Sequence, residues 1–324
     1  MPPERAGQAV ERALTELRQR PLTVVLGGAE PLLAGPTLQA ALAAARPRDA
    51  ETTLVVQTRG EHLDAARVEE LQKAGARVLV CLHQVPGGTL QENLYRALEA
   101  GLPLVPAGIA GSAEQVLEFY ERFLEMGFRT FRISPAPRLA GGPARMAAEE
   151  AEAFAQAYLE MADRAADYLR SSRGRLRISD LDVLVRRAIW PGLREEARGL
   201  SVDLGGDLYP FETWHLPDPA PARLGSLDDP RPLARMLEES DFLASLDRRS
   251  ASSIGRCRTC PFRRLCEGGS ALKALSAGDV MAPDPNCRFR QRVIEGLLWR
   301  LHQEPQVAAA LAGLSAPPVP GPRG

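Results

Sequence analysis

CRTCPFRRLCEGGSALKALSAGDVMAPDPNC, residues 257–287, carries Cys257, Cys260, Cys266 and Cys287 in the spacing C-x2-C-x5-C-x20-C. The chain has 324 residues and 5 cysteines, and the remaining one is Cys81. Such clustering is not what core packing produces. Thiolates are soft ligands that hold zinc or iron–sulfur clusters. A C-x2-C pair in a tight turn points both sulfurs at one centre, and Pro261 with Gly268-Gly269 supplies the turn chemistry. Disulfide bonding is the competing reading, but nothing in the sequence points to secretion. Structural zinc sites often use two close cysteine pairs. A single pair with two isolated cysteines leans toward an iron–sulfur cluster, with zinc kept as the alternative.

The rest of the chain narrows the class. The formal net charge is -1, and no basic face is large enough to argue for nucleic acid. The opening MPPERAGQAVERALTELRQR is charged and amphipathic and lacks the apolar core of a signal peptide. No apolar run approaches a membrane span. The expected location is cytoplasmic, where thiols stay reduced and clustered cysteines mean metal.

Toward the N-terminus, short apolar strands alternate with amphipathic helices. Strands are read at Leu22–Leu26 (LTVVL), Thr53–Gln57 (TLVVQ), Arg77–Leu82 (RVLVCL), Leu102–Val105 and Thr130–Ser134. Helices are read at Val10–Arg18, Leu38–Ala45, Leu63–Lys73, Gln91–Ala100 and Ala113–Met126. Apolar runs separated by 3.6-period segments predict parallel strands with crossover helices, in a barrel or a doubly wound sheet. After the turn-rich Pro135–Pro143, a long helix runs from about Ala147 to Ser171, with Ala151, Phe154, Tyr158 and Met161 as its packing stripe. Leu200–Leu204 and Leu208–Pro210 flank Gly205-Gly206 as a hairpin, with Tyr209, Phe211 and Trp214 as its small core. HLPDPAPARLG reads as a linker, Arg288–Leu301 as a closing helix, and Ala316–Gly324 as a tail too rich in proline and glycine to fold.

In this order the segments resemble radical S-adenosylmethionine (SAM) enzymes with a C-terminal SPASM domain, a family of peptide maturases and sulfatase-activating enzymes. The SPASM pattern is a Gly-x4-Cys hairpin, then C-x2-C-x5-C-x3-C, then a distant last cysteine. Cys257, Cys260, Cys266 and Cys287 match the positions that ligate the family's second auxiliary cluster, so the resemblance implies one 4Fe-4S cluster. Ser270 stands at the x3-Cys position and Phe211 at the Gly-x4-Cys position, and no cysteine lies between Cys81 and Cys257. The first auxiliary cluster is therefore expected to be absent.

The N-terminal half resembles the radical SAM barrel. Gly28-Ala29-Glu30-Pro31 looks like the Gly-Gly-Glu-Pro motif that meets the amino group of SAM, which marks Gly28 and Glu30 as vestigial cofactor-binding residues. Glu30 has a competing role as a cap for the following helix. Thr58-Arg59-Gly60 stands where Thr-Asn-Gly is usual, and Cys81-Leu82-His83 where Ser-Leu-Asp is usual. The family's C-x3-C-x2-C loop, which holds the SAM-cleaving cluster, has no counterpart, because no cysteine precedes Cys81. The first barrel strand is expected to be missing too, which leaves Leu22–Leu26 at a sheet edge.

The expected architecture is α/β: an incomplete radical-SAM-type (β/α) barrel over residues 1–175, a small SPASM-like iron–sulfur domain over 176–304, and an Ala/Pro-rich tail over 305–324. The expected function is a radical SAM/SPASM-like accessory protein in ribosomal peptide or protein modification, holding one auxiliary cluster. Three alternatives stay open: an active maturase with a misplaced start, a zinc-stabilised leader-peptide-binding module, and an electron-transfer subunit. No catalytic residue is assigned. SAM binding is expected to be weak or absent, because Ala29 crowds the backbone where the ligand approaches. The expected partner is a radical SAM enzyme or a second copy, with a peptide substrate and neither nucleic acid nor membrane. Cys81 is read as a small buried hydrophobe, and His62 and His83 as surface residues. Arg263 and Arg264 are read as surface charge, or as an offset for a thiolate-ligated cluster.

Overall fold

The structure, a computed structural model, describes residues 1–17, 21–28, 30–45, 51–135, 146–171, 175–179, 181, 183–185, 200–210 and 218–305. The chain opens as a helix, α1 (Pro3–Glu16), earlier than the apolar spacing from Val10 indicates. Pro3 explains the early start: its fixed φ suits the first turn, and its missing N–H would have had no partner there. Then follow β1 (Leu22–Leu26), α2 (Gly35–Ala44), β2 (Thr52–Thr58), α3 (Ala65–Lys73), β3 (Arg77–Leu82) and α4 (Gly88–Glu99). The alternation continues with β4 (Leu104–Ala110), α5 (Ala113–Glu125), β5 (Thr130–Pro135), α6 (Ala148–Ser171) and the short β6 (Arg177–Ile178), a strand the apolar pattern did not reveal. Asp64 and Ser112 cap α3 and α5, each accepting a backbone N–H of the first turn.

The strand order of the parallel sheet is β1-β2-β3-β4-β5-β6, following the chain without a reversal. A doubly wound sheet reverses its strand order, so of the two forms foreseen this is the barrel winding. The β1–β2 register runs from Leu22 opposite Thr52 to Leu26 opposite Val56. Among the described residues β1 pairs with β2 alone, the edge position foreseen for Leu22–Leu26. No helix among the described residues is long and apolar enough to cross a membrane.

Packing divides the chain into two units, each discontinuous in sequence. The first draws on the described residues of Met1–Leu82, Pro86–Val105 and Glu196–Arg248. In it β7 (Ser201–Val202), β8 (Asp207–Tyr209) and β9 (Gly225–Ser226) form a small antiparallel sheet, followed by α7 (Leu233–Glu238) and α8 (Asp241–Arg248). The hairpin around Gly205-Gly206 is as foreseen. The segment read as a linker instead contributes β9, held because Leu224 enters a core with Leu208, Leu233 and Met236. Tyr209 is buried, while Phe211 and Trp214 lie outside the described residues. Helix α1 clamps this sheet: Arg12 donates to Leu227 O at 2.7 Å and Arg231 O at 2.5 Å, and Glu16 accepts Leu233 N–H at 2.6 Å.

The second unit draws on His83–Val85 and the described residues of Pro106–Glu195 and Arg249–Gly324. Its core is aromatic, with Phe119, Phe123 and Phe131 fully buried and ring centroids 5.4–5.5 Å apart. The alanine-rich seam of α6 lets other helices approach closely. After α9 (Arg263–Cys266) and α10 (Ala271–Ser276), α11 (Cys287–Gln303) lays Phe289, Val293, Ile294 and Leu297 into the core. Phe289 meets Tyr158 of α6 edge-on at 5.1 Å, and the Tyr158 hydroxyl donates to Ile133 O. Burying four such side chains contributes on the order of 2 kcal/mol each, so the first residue of α11, Cys287, is held on a firm element. The tail Ala316–Gly324, and Pro135–Pro143 apart from Pro135, lie outside the described residues.

Candidate metal centre

The cysteine loop is a chain of tight turns. Cys257 N–H donates to Ile254 O at 2.9 Å, Cys260 N–H to Cys257 O at 3.1 Å, and Cys266 N–H to Phe262 O at 2.9 Å. Cys266 ends α9, and the chain then reverses through three successive residues of positive φ: Glu267 at 51°, Gly268 at 85° and Gly269 at 73°. The two glycines are required by space as well as by conformation. A Cβ on Gly268 would lie 2.6 Å from Ile254 Cδ1 and 2.7 Å from Arg249 Nη1, and one on Gly269 would run into the Asp284 side chain. The reversal returns the chain toward Cys287, whose N–H donates to Asp284 O at 3.0 Å.

A second ring of side chains braces the loop. The buried carboxylate of Asp284 accepts Ser270 N–H at 2.8 Å, Asn286 N–H at 2.8 Å and Arg290 Nε–H at 2.9 Å. Ser270, standing where the SPASM pattern has a cysteine, caps α10 by accepting Lys273 N–H. Gln291, one turn into α11, donates Nε2–H to Cys260 Sγ at 3.4 Å. Arg249 is 9% exposed and donates Nη2–H to Gly268 O at 2.9 Å and Ala282 O at 3.0 Å. Its Nε and Nη1 find no partner among the described residues, and neither polar atom of the buried Asn286 side chain does.

The four thiols lie within one another's electrostatic reach, all six pairs included. Burial pushes the Cys266 thiol up, with Arg290 pulling it back. Burial also raises Cys287, opposed by Arg256, and Cys257, opposed by Arg249 and Arg256. Burial lowers Arg249, with Asp284, Cys257 and Cys266 acting the other way. Burial thus favours the protonated form of Cys257, Cys266 and Cys287, so a metal that binds them must displace protons. Among the described residues no three His, Cys, Asp or Glu side chains stand close enough to hold a single metal ion as they are. The donor set still fits a sulfur-rich anionic cluster: four soft ligands in one neighbourhood, guanidinium groups around them, and buried N–H donors without acceptors.

Sequence reading found the four thiols but not this ring. Asp284-Pro285-Asn286 does carry a signal, because Asp accepting the N–H two residues on is an Asx-turn habit. Arg249 and Gln291 carry none, since their partners are distant in the chain. Arg263 and Arg264 are exposed, which is the surface reading, and the guanidinium groups near the thiols are those of Arg249, Arg256 and Arg290.

The other sequence candidate lies after β1. Gly28 has φ 129°, and Ala29 lies outside the described residues. Glu30 caps the turn Pro31–Leu33, its Oε1 accepting Leu32 N–H at 3.1 Å and Thr58 Oγ1–H at 2.7 Å. Its Oε2 accepts Arg59 N–H at 2.9 Å, and Thr58 Oγ1 accepts Gly60 N–H at 3.0 Å. Of the two roles foreseen for Glu30, the cap is the one its contacts make. His62 and His83 are exposed. Cys81 is half-buried rather than buried, because it alternates with Val80 and Leu82, which take the core face of β3.

Neither a family model nor a curated protein matches this sequence. Solved structures match in fold. Native anSMEcpe with bound AdoMet aligns at a TM-score of 0.75 and 15% identity, over 94% of this chain and 90% of that one. Hexahistidine-tagged anSMEcpe with bound AdoMet aligns at 0.73 and 17%, over 96% and 89%. Native anSMEcpe with bound AdoMet and Kp18Cys peptide aligns at 0.72 and 16%, over 94% and 90%. That protein is a radical SAM/SPASM anaerobic sulfatase-maturating enzyme. Identity at this level carries the fold and not the activity. In its fold, this chain is similar to that radical SAM/SPASM enzyme.

Proposed function

We propose that this chain holds one auxiliary 4Fe-4S cluster on Cys257, Cys260, Cys266 and Cys287 and serves as an accessory protein in peptide or protein modification, without cleaving SAM itself. The observation that carries this reading is that four thiols lie within one another's electrostatic reach, with guanidinium groups beside them and buried N–H donors left over among the described residues. Such a cluster supplies a one-electron relay when bound. The chain's own residues do the rest. Gly268 and Gly269 fold the loop back on itself, Asp284 ties its two ends, and α11 anchors Cys287 on the core. Arg249, Arg256 and Arg290 offset the negative charge that four thiolates bring.

Two observations favour an accessory role. Both oxygens of Glu30 are occupied by the chain's own donors, so an incoming amino group has to compete with them. The strand β1 is an edge whose residues are at most half-buried, with Val25 48% exposed. An open edge presents unpaired N–H and C=O groups to another chain. The partner in this reading is a complete radical SAM enzyme or a second copy.

The test is anaerobic purification of the full chain, followed by iron, sulfide and zinc analysis and a SAM-cleavage assay with dithionite. About four iron and four sulfide per chain are expected for a cluster held by four thiolates, with no 5′-deoxyadenosine formed. A colourless protein with one zinc overturns the cluster, and 5′-deoxyadenosine turnover by the chain alone overturns the accessory role.

A further inference from the structure

We infer that Arg249 is a positioning residue for the metal centre, its Nε–H and Nη1–H donating to sulfur on the Cys257–Cys266 side and thereby raising the centre's reduction potential. The inference rests on the reading of the four cysteines as cluster ligands.

Three observations meet at this side chain. It is a buried guanidinium pinned at one nitrogen by two carbonyls, Gly268 O at 2.9 Å and Ala282 O at 3.0 Å. That pinning fixes the plane of the fork, so the remaining donors point in fixed directions. Those donors, Nε and Nη1, have no acceptor among the described residues, although buried polar groups are nearly always paired. Finally, the missing side chain of Gly268 makes the room that Nη1 fills, since a Cβ there would stand 2.7 Å from it. The loop that presents Cys266 is thus shaped around this guanidinium.

The nearby acceptors and cations do not account for it. The Asp284 carboxylate is engaged by Ser270, Asn286 and Arg290. Arg290 spends its Nε on Asp284, and Arg256 is exposed. Besides the already engaged Asp284, the acceptors within electrostatic reach of Arg249 are the sulfurs of Cys257 and Cys266. Hydrogen bonds and positive charge at cluster sulfur favour the reduced, more negative state, which raises the potential.

The experiment uses the full chain loaded with iron and sulfide without oxygen. It reads iron content, reduction potential by dye-coupled titration, and 15N coupling to the reduced cluster's spin in protein labelled with 15N-arginine. Wild-type protein is expected to show a weak 15N-arginine coupling. Arg249→Gln should keep its iron, lose that coupling, and become about tenfold harder to reduce, a shift of roughly 59 mV for one electron. Arg249→Lys, which keeps the charge but not the fork, should lose the coupling with a smaller shift. Iron-loaded wild type without arginine coupling, or Arg249→Gln at the wild-type potential, overturns the inference. If Arg249→Gln does not fold, wild type and Arg249→Lys decide it: coupling that persists in the lysine variant overturns it. A wild-type chain that takes up no iron removes the cluster reading, and this inference with it. Iron-loaded wild type lacking the coupling leaves the cluster reading standing.

Discussion

The turn after β1 and the loop at Cys257–Cys287 are both places where the chain reverses through positive-φ glycine beside polar side chains, yet they differ in what they leave unpaired. At the first, Glu30 accepts three donors from its own neighbourhood, and Thr58 both gives and receives. A Cβ on Gly28 would meet nothing within 4 Å among the described residues. At the second, Arg249 and Asn286 keep buried polar atoms without a partner among the described residues, three thiols are pushed up by burial, and Gly268 and Gly269 face filled space. Leaving buried donors unmade is costly, so such a loop is stabilised by any acceptor brought to it. A corner that satisfies itself needs no ligand to hold its shape. The same fold therefore holds one corner closed by its own contacts and another whose thiols and guanidinium groups suit the centre proposed above.

The strongest way to break this contrast is to remove one thiol from each half. Cys287→Ala is expected to abolish most of the iron and the visible absorption, because a three-thiolate remnant loses the ligand that α11 holds in place. Cys81→Ala, on the exposed-leaning face of β3, should leave both unchanged. Iron analysis after anaerobic reconstitution reads the difference, and equal loss from the two variants would erase the distinction between the regions.

Next in size is Gly269→Ala. Alanine at φ 73° carries conformational strain, and its Cβ would lie within 2.9 Å of Asp284 Cγ. Strain and overpacking together should cost about 3 kcal/mol. The variant should melt several degrees lower and load iron poorly, as read by thermal unfolding and iron content. An unchanged Tm would mean that the tie between Asp284 and the glycine turn is not what shapes the loop.

What could be read in the sequence follows from the range of each interaction. Local signals gave the β/α alternation closely: the strand Arg77–Leu82 has the foreseen bounds, and α5 and α6 differ by a residue or so. The four thiols were legible because their spacing is local and cysteine is scarce. The short β6 and β9 were not, because two residues offer no periodicity, and pairing with a distant strand is what defines them. Arg249 was invisible for the same reason: its carbonyl partners lie 19 and 33 residues away. Glu30 was legible as a motif but not in its role, since the partner that turns it into a staple, Thr58, comes from the next strand.

Glu30→Gln tests that staple. The amide keeps one acceptor but turns an NH2 group toward a donor, Arg59 N–H or the Thr58 hydroxyl. In a partly exposed setting this should cost roughly 1–2 kcal/mol of stability. Under the contrast drawn above, the substitution lowers Tm without altering a SAM titration that is already weak or silent. A wild-type chain that binds SAM tightly, with binding lost and Tm unchanged in Glu30→Gln, would make this corner a working ligand site.

Gly28→Ala should have the smallest effect. Among the described residues a Cβ there would contact nothing within 4 Å, so the cost comes from the φ of 129° that an L-residue adopts reluctantly. About 1 kcal/mol follows, without the overlap that Gly269→Ala adds. The pair thus separates conformational strain from steric filling at two positive-φ glycines of one chain. If the two variants unfold at the same denaturant midpoint, packing at the cysteine loop contributes nothing beyond backbone strain, and the sharpest physical difference between the two regions disappears. If Gly28→Ala is the milder by the expected margin, a side chain at Gly28 has room that one at Gly269 lacks, and the crowding belongs to the loop that carries the thiols.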